Sequence, residues 1–316
     1  MCSSDLPSAE SVESSMADLP LRYWSEPPGE LAQAYRDRCS EGVKRLRHSS
    51  VAFVGLARNC GEHLAGNLMR VLDVAGMCRQ WQLHIESNDC TDDTLDVLAA
   101  FAREHKEATF HYQMLDRPHC PGEFAGRRTI ALAEYRDACQ RWVRACARDA
   151  DYVVVVDWDL WAGWNHDGLL NAIGWLVEYP GAYGMASVSM FQHDMGGGPM
   201  WCHYDLWALR GVGQTDCYWD TYQNGYGGFG FFWLPPVGSP PVLVSSAFGG
   251  MAVYRTDAYL RGTYDGTTDC EHVPFHRSIA AATGQHLYVC PSMRTVVRSE
   301  EHTSELQSPC NLVCRL

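Results

Sequence analysis

The chain of 316 residues is 46% hydrophobic and 20% charged, with a formal net charge of −13. That balance excludes a disordered chain, and the lack of any Lys/Arg-rich run excludes a protein built to grip nucleic-acid phosphates. No apolar run approaches the roughly 20 residues of a membrane span.

Both ends look foreign. Met1–Leu6 (MCSSDL) and the segment RSEEHTSELQS at Arg298–Ser308 resemble translated sequencing-adapter read-through. Residues 1–6 and 298–316 are therefore set aside, the native termini are expected to be missing, and a lost membrane anchor or a peripheral membrane contact is left open. Eleven of the 14 cysteines remain once Cys2, Cys310 and Cys314 are set aside. Their scattered spacing matches no zinc site and favours reduced thiols in a cytoplasmic protein over a secreted disulfide scaffold.

Residues 7–50 read as a polar leader with one helical stretch near Glu30–Arg47, and a single domain is expected over 51–297. VAFVGLA at Val51–Ala57 predicts a buried parallel strand. Leu64, Leu68, Leu72 and Ala75 then recur at helical spacing. Trp81–Ser87 predicts a second strand, Thr91–Arg103 a helix and Thr109–Leu115 a third strand. A long helix follows over Glu123–Arg148, with Ile130, Ala133, Ala138, Trp142 and Cys146 as its expected buried side. Tyr152–Val156 (YVVVV) is the most β-branched run in the chain. This alternation implies an α/β fold: a Rossmann-like, open, mostly parallel sheet with helices on both faces. Ligands then belong at the carboxyl ends of the strands, after Ala57, Ser87 and Val156.

Residues 191–241 are rich in Gly, Pro, Trp and Tyr, which predicts a lid or binding loop. Its aromatic residues Trp201, Tyr204, Trp207, Trp219, Tyr222 and Tyr226 are candidate ligand contacts, although many belong in a core. Order returns with Val244–Arg255, a helix at Val273–Ala282 and a strand at His286–Cys290.

The chemistry centres on Asp157-Trp158-Asp159. Side chains at i and i+2 of an extended chain point the same way, so two carboxylates converge where the sheet opens. Adjacent like charges need compensation, and Mg²⁺ or Mn²⁺ supplies it through oxygen ligands while bridging to phosphates. An isolated Asp-x-Asp is more often an incidental turn; its place after the strongest strand reverses that reading. A second acidic run, Glu86 to Thr94, follows the second strand, where it can cap a helix or meet a base or ribose.

In order, VAFVGLARN, ESNDCTDDT, RTIALAEYRD, YVVVVDWDL, YDLWALR, SSAFGGMAVYR and CEHVPFHRSI resemble the GT-A glycosyltransferases over about residues 51–291. The nearest likeness is to fungal capsule-associated and Golgi mannan-type mannosyltransferases. The resemblance implies that Asp157 and Asp159 hold the metal, with His276 able to complete its shell, where a surface or capping histidine is the alternative. It places Arg58, Glu86 and Asp89 beside the nucleotide and Arg128 or Arg136 at the diphosphate, where helix-surface ion pairs are the alternative. Gly249 and Gly250 would approach the donor sugar, with a β-bulge as the alternative. Tyr204, Asp205, Trp207 and Arg210 would contact substrate, and Asp269 or Glu271 would act on the acceptor hydroxyl.

Two departures stand out. Asp137 follows Arg136 where the family has Asn, and an acid there is unfavourable unless it points away from the phosphates. His272 replaces the family's second acid.

The expected activity is metal-dependent transfer of a hexose, mannose by resemblance, from a GDP- or UDP-sugar to a glycan or other hydroxyl acceptor. A nucleotidyltransferase and a non-catalytic carbohydrate-binding protein are the rivals.

Overall fold

A computed structural model describes residues 20–118, 126–194, 197–216 and 228–298. The expected adapter-derived segments 1–6 and, apart from Arg298, 298–316 lie outside the described residues, as do Trp219, Tyr222 and Tyr226.

Ten strands form one sheet. They are β1 (Ser50–Ala57), β2 (Gln80–Asn88), β3 (Ala108–Gln113), β4 (Tyr152–Asp157), β5 (Gly163–Trp164), β6 (Ala182–Asp194), β7 (Pro199–His203), β8 (Val242–Val244), β9 (Met251–Arg255) and β10 (His286–Val296). The order is β3-β2-β1-β4-β9-β6-β10-β5, with β7 on β6 and β8 on β10. β1, β2, β3 and β4 are parallel; β9 is antiparallel to both β4 and β6, which returns β6 and its parallel neighbour β10 to the common direction. The fold is thus the expected α/β architecture with a mostly parallel sheet.

The helices longer than four residues among the described residues are α1 (Ala32–Leu46), α2 (Gly61–Ala75), α3 (Thr94–Glu104), α4 (Arg127–Cys146), α5 (His166–Glu178) and α6 (His272–Thr283). One core layer holds Val153 and Val155 of β4 against Ala133, Cys139 and Val143 of α4 and Phe275 and Ile279 of α6. The opposite layer holds Tyr152, Val154 and Val156 against Leu64, Leu68 and Val71 of α2 and Leu169 and Ile173 of α5. Near-continuous apolar runs such as YVVVV are what a strand covered on both faces requires.

Three expectations change. The leader is not separate from the domain: α1 packs on α5, with Leu46 fully buried and Gly42 so close to the Leu170 carbonyl that a Cβ would sit 1.9 Å from it. Part of the expected 191–241 loop is ordered as the end of β6 paired with β7.

Thirdly, α4 buries Thr129, Ala133, Arg136, Cys139, Gln140 and Val143, whereas Ile130 is 39% exposed and Cys146 is exposed. The helix presents its polar side inward because that side faces buried partners.

Among the described residues, no helix is long and apolar enough to cross a membrane, and the nine cysteines seen are free.

Candidate active site

From β1 the sheet grows outward through β2 and β3 on one side and through β4 on the other. The strand order therefore reverses between β1 and β4, which opens a crevice at the carboxyl ends of those two strands. Asp157, the last residue of β4, lies there opposite Leu56 of β1.

Around that point the backbone is pinned. Asp157 N–H donates to the Gly250 carbonyl at 2.8 Å, and Trp158 N–H donates to Leu56 O. Trp158 is fully buried, so the residues on either side of it turn outward: Asp157 is half-buried and Asp159 exposed. Asn67 of α2, itself buried, donates to the carbonyls of Trp158 (3.0 Å) and Leu160 (2.9 Å) and fixes the turn. Asn67 was not foreseen; its one available signal is a polar residue inside the Leu64-Leu68-Val71 stripe.

Asp157 is one arm of a buried ion triad. Arg136 of α4 donates from Nη2 to Asp157 Oδ1 at 2.9 Å and from Nε to Glu271 Oε1 at 2.7 Å. The guanidinium is 5% exposed and lies over the Phe248 ring, and its Nη1 has no hydrogen-bond partner.

Burial pushes the Asp157 carboxyl up to about 7, opposed by Arg136 and reinforced by Asp159. Loss of solvation also raises Asp159, opposed by its own backbone N–H and by Arg136, Arg128 and His63. Because Asp159 is open to solvent, its shift is the smaller of the two in physical effect. A carboxylate pair that resists full ionisation is the arrangement a divalent cation relieves. Among the described residues, no third His, Cys, Asp or Glu joins them to form a metal cluster.

His276 does not belong to this centre. It is fully buried, and its two ring nitrogens are taken up by Ser246 Oγ (2.9 Å) and Tyr254 OH (2.8 Å). The expected metal ligand is a core histidine, held neutral by burial, which drives its pKa down to about 3.

Glu271 is likewise corrected. At 2% side-chain exposure and bound to Arg136, it cannot reach an acceptor hydroxyl. Asp269 remains partly exposed (22%) while pairing with the buried Arg210 at 2.6 Å. Arg210 is 1% exposed and also donates to the carbonyls of Trp207, Leu209 and Thr215, so it is a structural clamp rather than a substrate contact. His272 is buried, stacks on Phe248 with ring centroids 3.9 Å apart, and is held neutral by burial and by Arg136.

Asp205 is committed too, accepting from the N–H groups of Gly249 (2.7 Å) and Ala208 (3.1 Å). Gly249 and Gly250 adopt φ of +69° and +77°, and a Cβ on Gly249 would lie 2.4 Å from the Ser187 carbonyl. Their conformation answers to the protein's own packing. Tyr204 packs edge-on against Phe191, toward the core. Trp207 is half-buried with the Arg128 guanidinium 5.1 Å from its ring centroid, and Arg128 is also close enough to lower Asp159. Asp137 points outward, 44% exposed and paired with Arg141, which removes the repulsion expected from it.

The loops after β1 and β2 form the neighbouring wall. Asp89, at φ +47°, accepts from the N–H groups of Leu115 (2.6 Å), Asp116 (2.9 Å) and Arg117 (3.3 Å) and from Asn88 Nδ2 (2.8 Å). Those four bonds fill its lone-pair positions and, against slight desolvation, hold its pKa down to about 2. Asp89 thus shapes the wall and has no acceptor left for a ribose. Glu86 bridges His84 (3.0 Å) and His111 (2.9 Å). Arg58 donates to the Arg117 carbonyl at 3.1 Å, tying the same loop from the other side.

No family model and no curated protein matches the chain. Solved structures do. The mannosyltransferase PcManGT from Pyrobaculum calidifontis, in complex with GDP-Man and Mn²⁺, is 14% identical, with 84% of this chain and 66% of that chain covered and a TM-score of 0.45. GalNAc-T7 with UDP, GalNAc and Mn²⁺ is 10% identical, with 90% and 55% covered and a TM-score of 0.48. Mannosyl-3-phosphoglycerate synthase from Rubrobacter xylanophilus is 13% identical, with 86% and 76% covered and a TM-score of 0.44. The chain therefore spans 66% of the first and about half of the second. Identities and scores this low leave the chemistry to be argued from this chain's own side chains.

Proposed function

We propose that the chain is a GT-A type glycosyltransferase that moves a hexose from a nucleotide-diphosphate sugar to a hydroxyl acceptor, with a divalent cation held by Asp157 and Asp159. The observation that carries this reading is the pair of carboxylates flanking buried Trp158 at the β1/β4 crevice, both with raised pKa values.

The donor set fits a hard cation: two carboxylates, only one of whose four oxygens accepts from Arg136. When bound, Mn²⁺ or Mg²⁺ acts as a Lewis acid that offsets the charge developing on the departing diphosphate.

The chain's own residues do the rest. Arg136 orients Asp157 and opposes its protonation; at 5% exposure, with two of its nitrogens committed, it is a positioning residue rather than a phosphate contact. Arg128 has the better placement for the diphosphate, supported on the Trp207 face and beside Asp159. Glu271 holds Arg136 in turn. Asp269 is the remaining acid with solvent access, and in an inverting reaction it would accept the acceptor proton. The resemblance stated from sequence favours mannose and a GDP donor.

The test is a panel of GDP- and UDP-sugars assayed for Mn²⁺-dependent donor hydrolysis. Asp159→Ala should lower turnover by about 100-fold or more with an unchanged melting temperature, since the side chain is exposed. Sugar binding that needs neither cation nor nucleotide would instead indicate a lectin-like protein.

A further inference from the structure

At the amino end of β4, five residues of extended chain and so about 16 Å from Asp157, a cleft of about 780 Å³ opens between α1, α4 and β9. It is lined by Arg45 of α1, Arg144 of α4, Arg148 just past it, Arg255 at the end of β9 and Arg261 beyond the following turn. These are five of the 25 basic residues in a chain of net charge −13. Such a concentration runs against the charge of the molecule as a whole.

The cations are not matched by acids. Asp151 and Asp257 are the cleft's two carboxylates. Asp151 Oδ2 accepts from the Ser50 N–H at 2.9 Å, and its Oδ1 lies 3.5 Å from Arg45. Asp257 accepts from the N–H of Ala258 in its own turn.

The other four arginines have no acid partner among the described residues. Arg144 donates to the Leu260 carbonyl at 2.9 Å, and Arg255 donates to the carbonyls of Ala182 (2.9 Å) and Leu176 (2.5 Å). These bonds fix the groups in place and leave their charge uncompensated. The side chains of Arg148 and Arg261 are exposed, and no hydrogen bond or ion pair engages them among the described residues.

We infer that this cleft is a binding site for a phosphate-bearing anion, most suitably a diphosphate group, separate from the carboxyl end of the sheet. A multiply charged oxyanion supplies the counter-charge that two carboxylates leave unmet among five arginines. Their planar forks match phosphate oxygens in pairs. The volume falls within the range of small-molecule sites. The same chemistry is carried by a soluble phosphate compound and by a phospholipid headgroup, and the experiment separates them.

Inorganic pyrophosphate is titrated calorimetrically into the full chain in EDTA, which keeps a cation-dependent site at Asp157 and Asp159 out of the signal. Vesicles of phosphatidylcholine, with and without phosphatidic acid, are floated with the protein in parallel. The Arg148→Glu/Arg261→Glu variant changes two exposed residues, and its melting temperature reports that it remains folded.

Saturable pyrophosphate binding that weakens about tenfold or more in the variant, and falls with added salt, supports the site with a soluble phosphate as its ligand. Flotation only with phosphatidic acid, lost in the variant, supports it with a headgroup. Binding of neither probe, or equal binding by a folded variant, overturns it.

Discussion

At the carboxyl end of β4 every charge but the exposed Asp159 has a named partner, and most are sunk into the protein. Asp157 and Glu271 share Arg136, and Asp269 holds Arg210. At the amino end of the same strand five arginines outnumber two carboxylates, and four of the five are steadied by carbonyl groups or, among the described residues, by nothing. The difference follows from solvation. A buried ion that lacks a partner costs several kcal/mol, so it persists only inside a matched network. A solvated cation costs little when left alone, so clustering it is tolerated and free to serve binding. One residue type, arginine, should therefore respond to mutation in opposite ways at the two ends.

The largest effect belongs to the centre of the triad. Arg136→Met removes the one cation shared by Asp157 and Glu271, leaving a buried and a half-buried carboxylate without compensation. The expected loss is about 3–5 kcal/mol in denaturant unfolding. Replacing all three members together, Arg136→Met with Asp157→Asn and Glu271→Gln, should recover part of it, because the stranded charges go as well. A single Arg136→Met that unfolds like the parent would mean the two acids are already neutral in the native state.

That triad also marks the limit of what the sequence disclosed. The regular half of the fold was legible because strands covered on both faces write themselves as apolar runs: VAFVGLA and YVVVV fell where β1 and β4 lie. Asp157 and Asp159 could be found because they end the strongest of those runs.

The inward face of α4 could not be read in the same way. It carries Thr129, Arg136 and Gln140, polar residues satisfied by buried partners, while Ile130 and Cys146 point to solvent, so an apolar-stripe reading placed Ala133 and Trp142 correctly but missed the polar members. Asp89, Asp205, Arg210 and Glu271 had the residue types of a substrate site. Each proved to be occupied by the protein's own N–H, carbonyl or guanidinium groups. Sequence order gives the residue type near a crevice, but which of its lone pairs remain free is decided by contacts such as Asp89 with residues 115–117, 26 to 28 positions away.

Asp89 gives the intermediate effect and extends the matched-charge rule to β2, whose carboxyl end shares the same edge of the sheet. Its four donors hold its folded pKa down to about 2, below the value of about 3.9 for an unfolded aspartate. The sign follows directly. The ionised form is favoured by folding, so its contribution is complete above about pH 4 and is lost as pH falls from about 4 towards 2. With allowance for partial solvent screening, Asp89→Asn should cost about 1–2 kcal/mol at pH 7. It should cost progressively less across that acid window, as read by urea unfolding at stepped pH. A pH-independent penalty would assign the role to shape rather than charge.

The smallest effect is the sharpest test of the contrast. Arg148→Ala and Arg261→Ala remove cations that pair with no acid among the described residues, in a cleft where arginines outnumber carboxylates five to two. Deleting one member of a set of like charges relieves repulsion. The expected change is therefore a stabilisation within about 0.5 kcal/mol, and it should be greatest at low ionic strength. In about 0.15 M salt, where the screening length is about 8 Å, it should shrink towards zero. Pyrophosphate reverses the ordering. A ligand that binds only the folded chain raises the melting temperature, and does so more for the parent than for either variant. The arginines would then be slightly destabilising when alone and stabilising when the anion is present. A loss above about 1 kcal/mol without ligand would contradict this, because only a hidden acidic partner could make an exposed guanidinium that valuable.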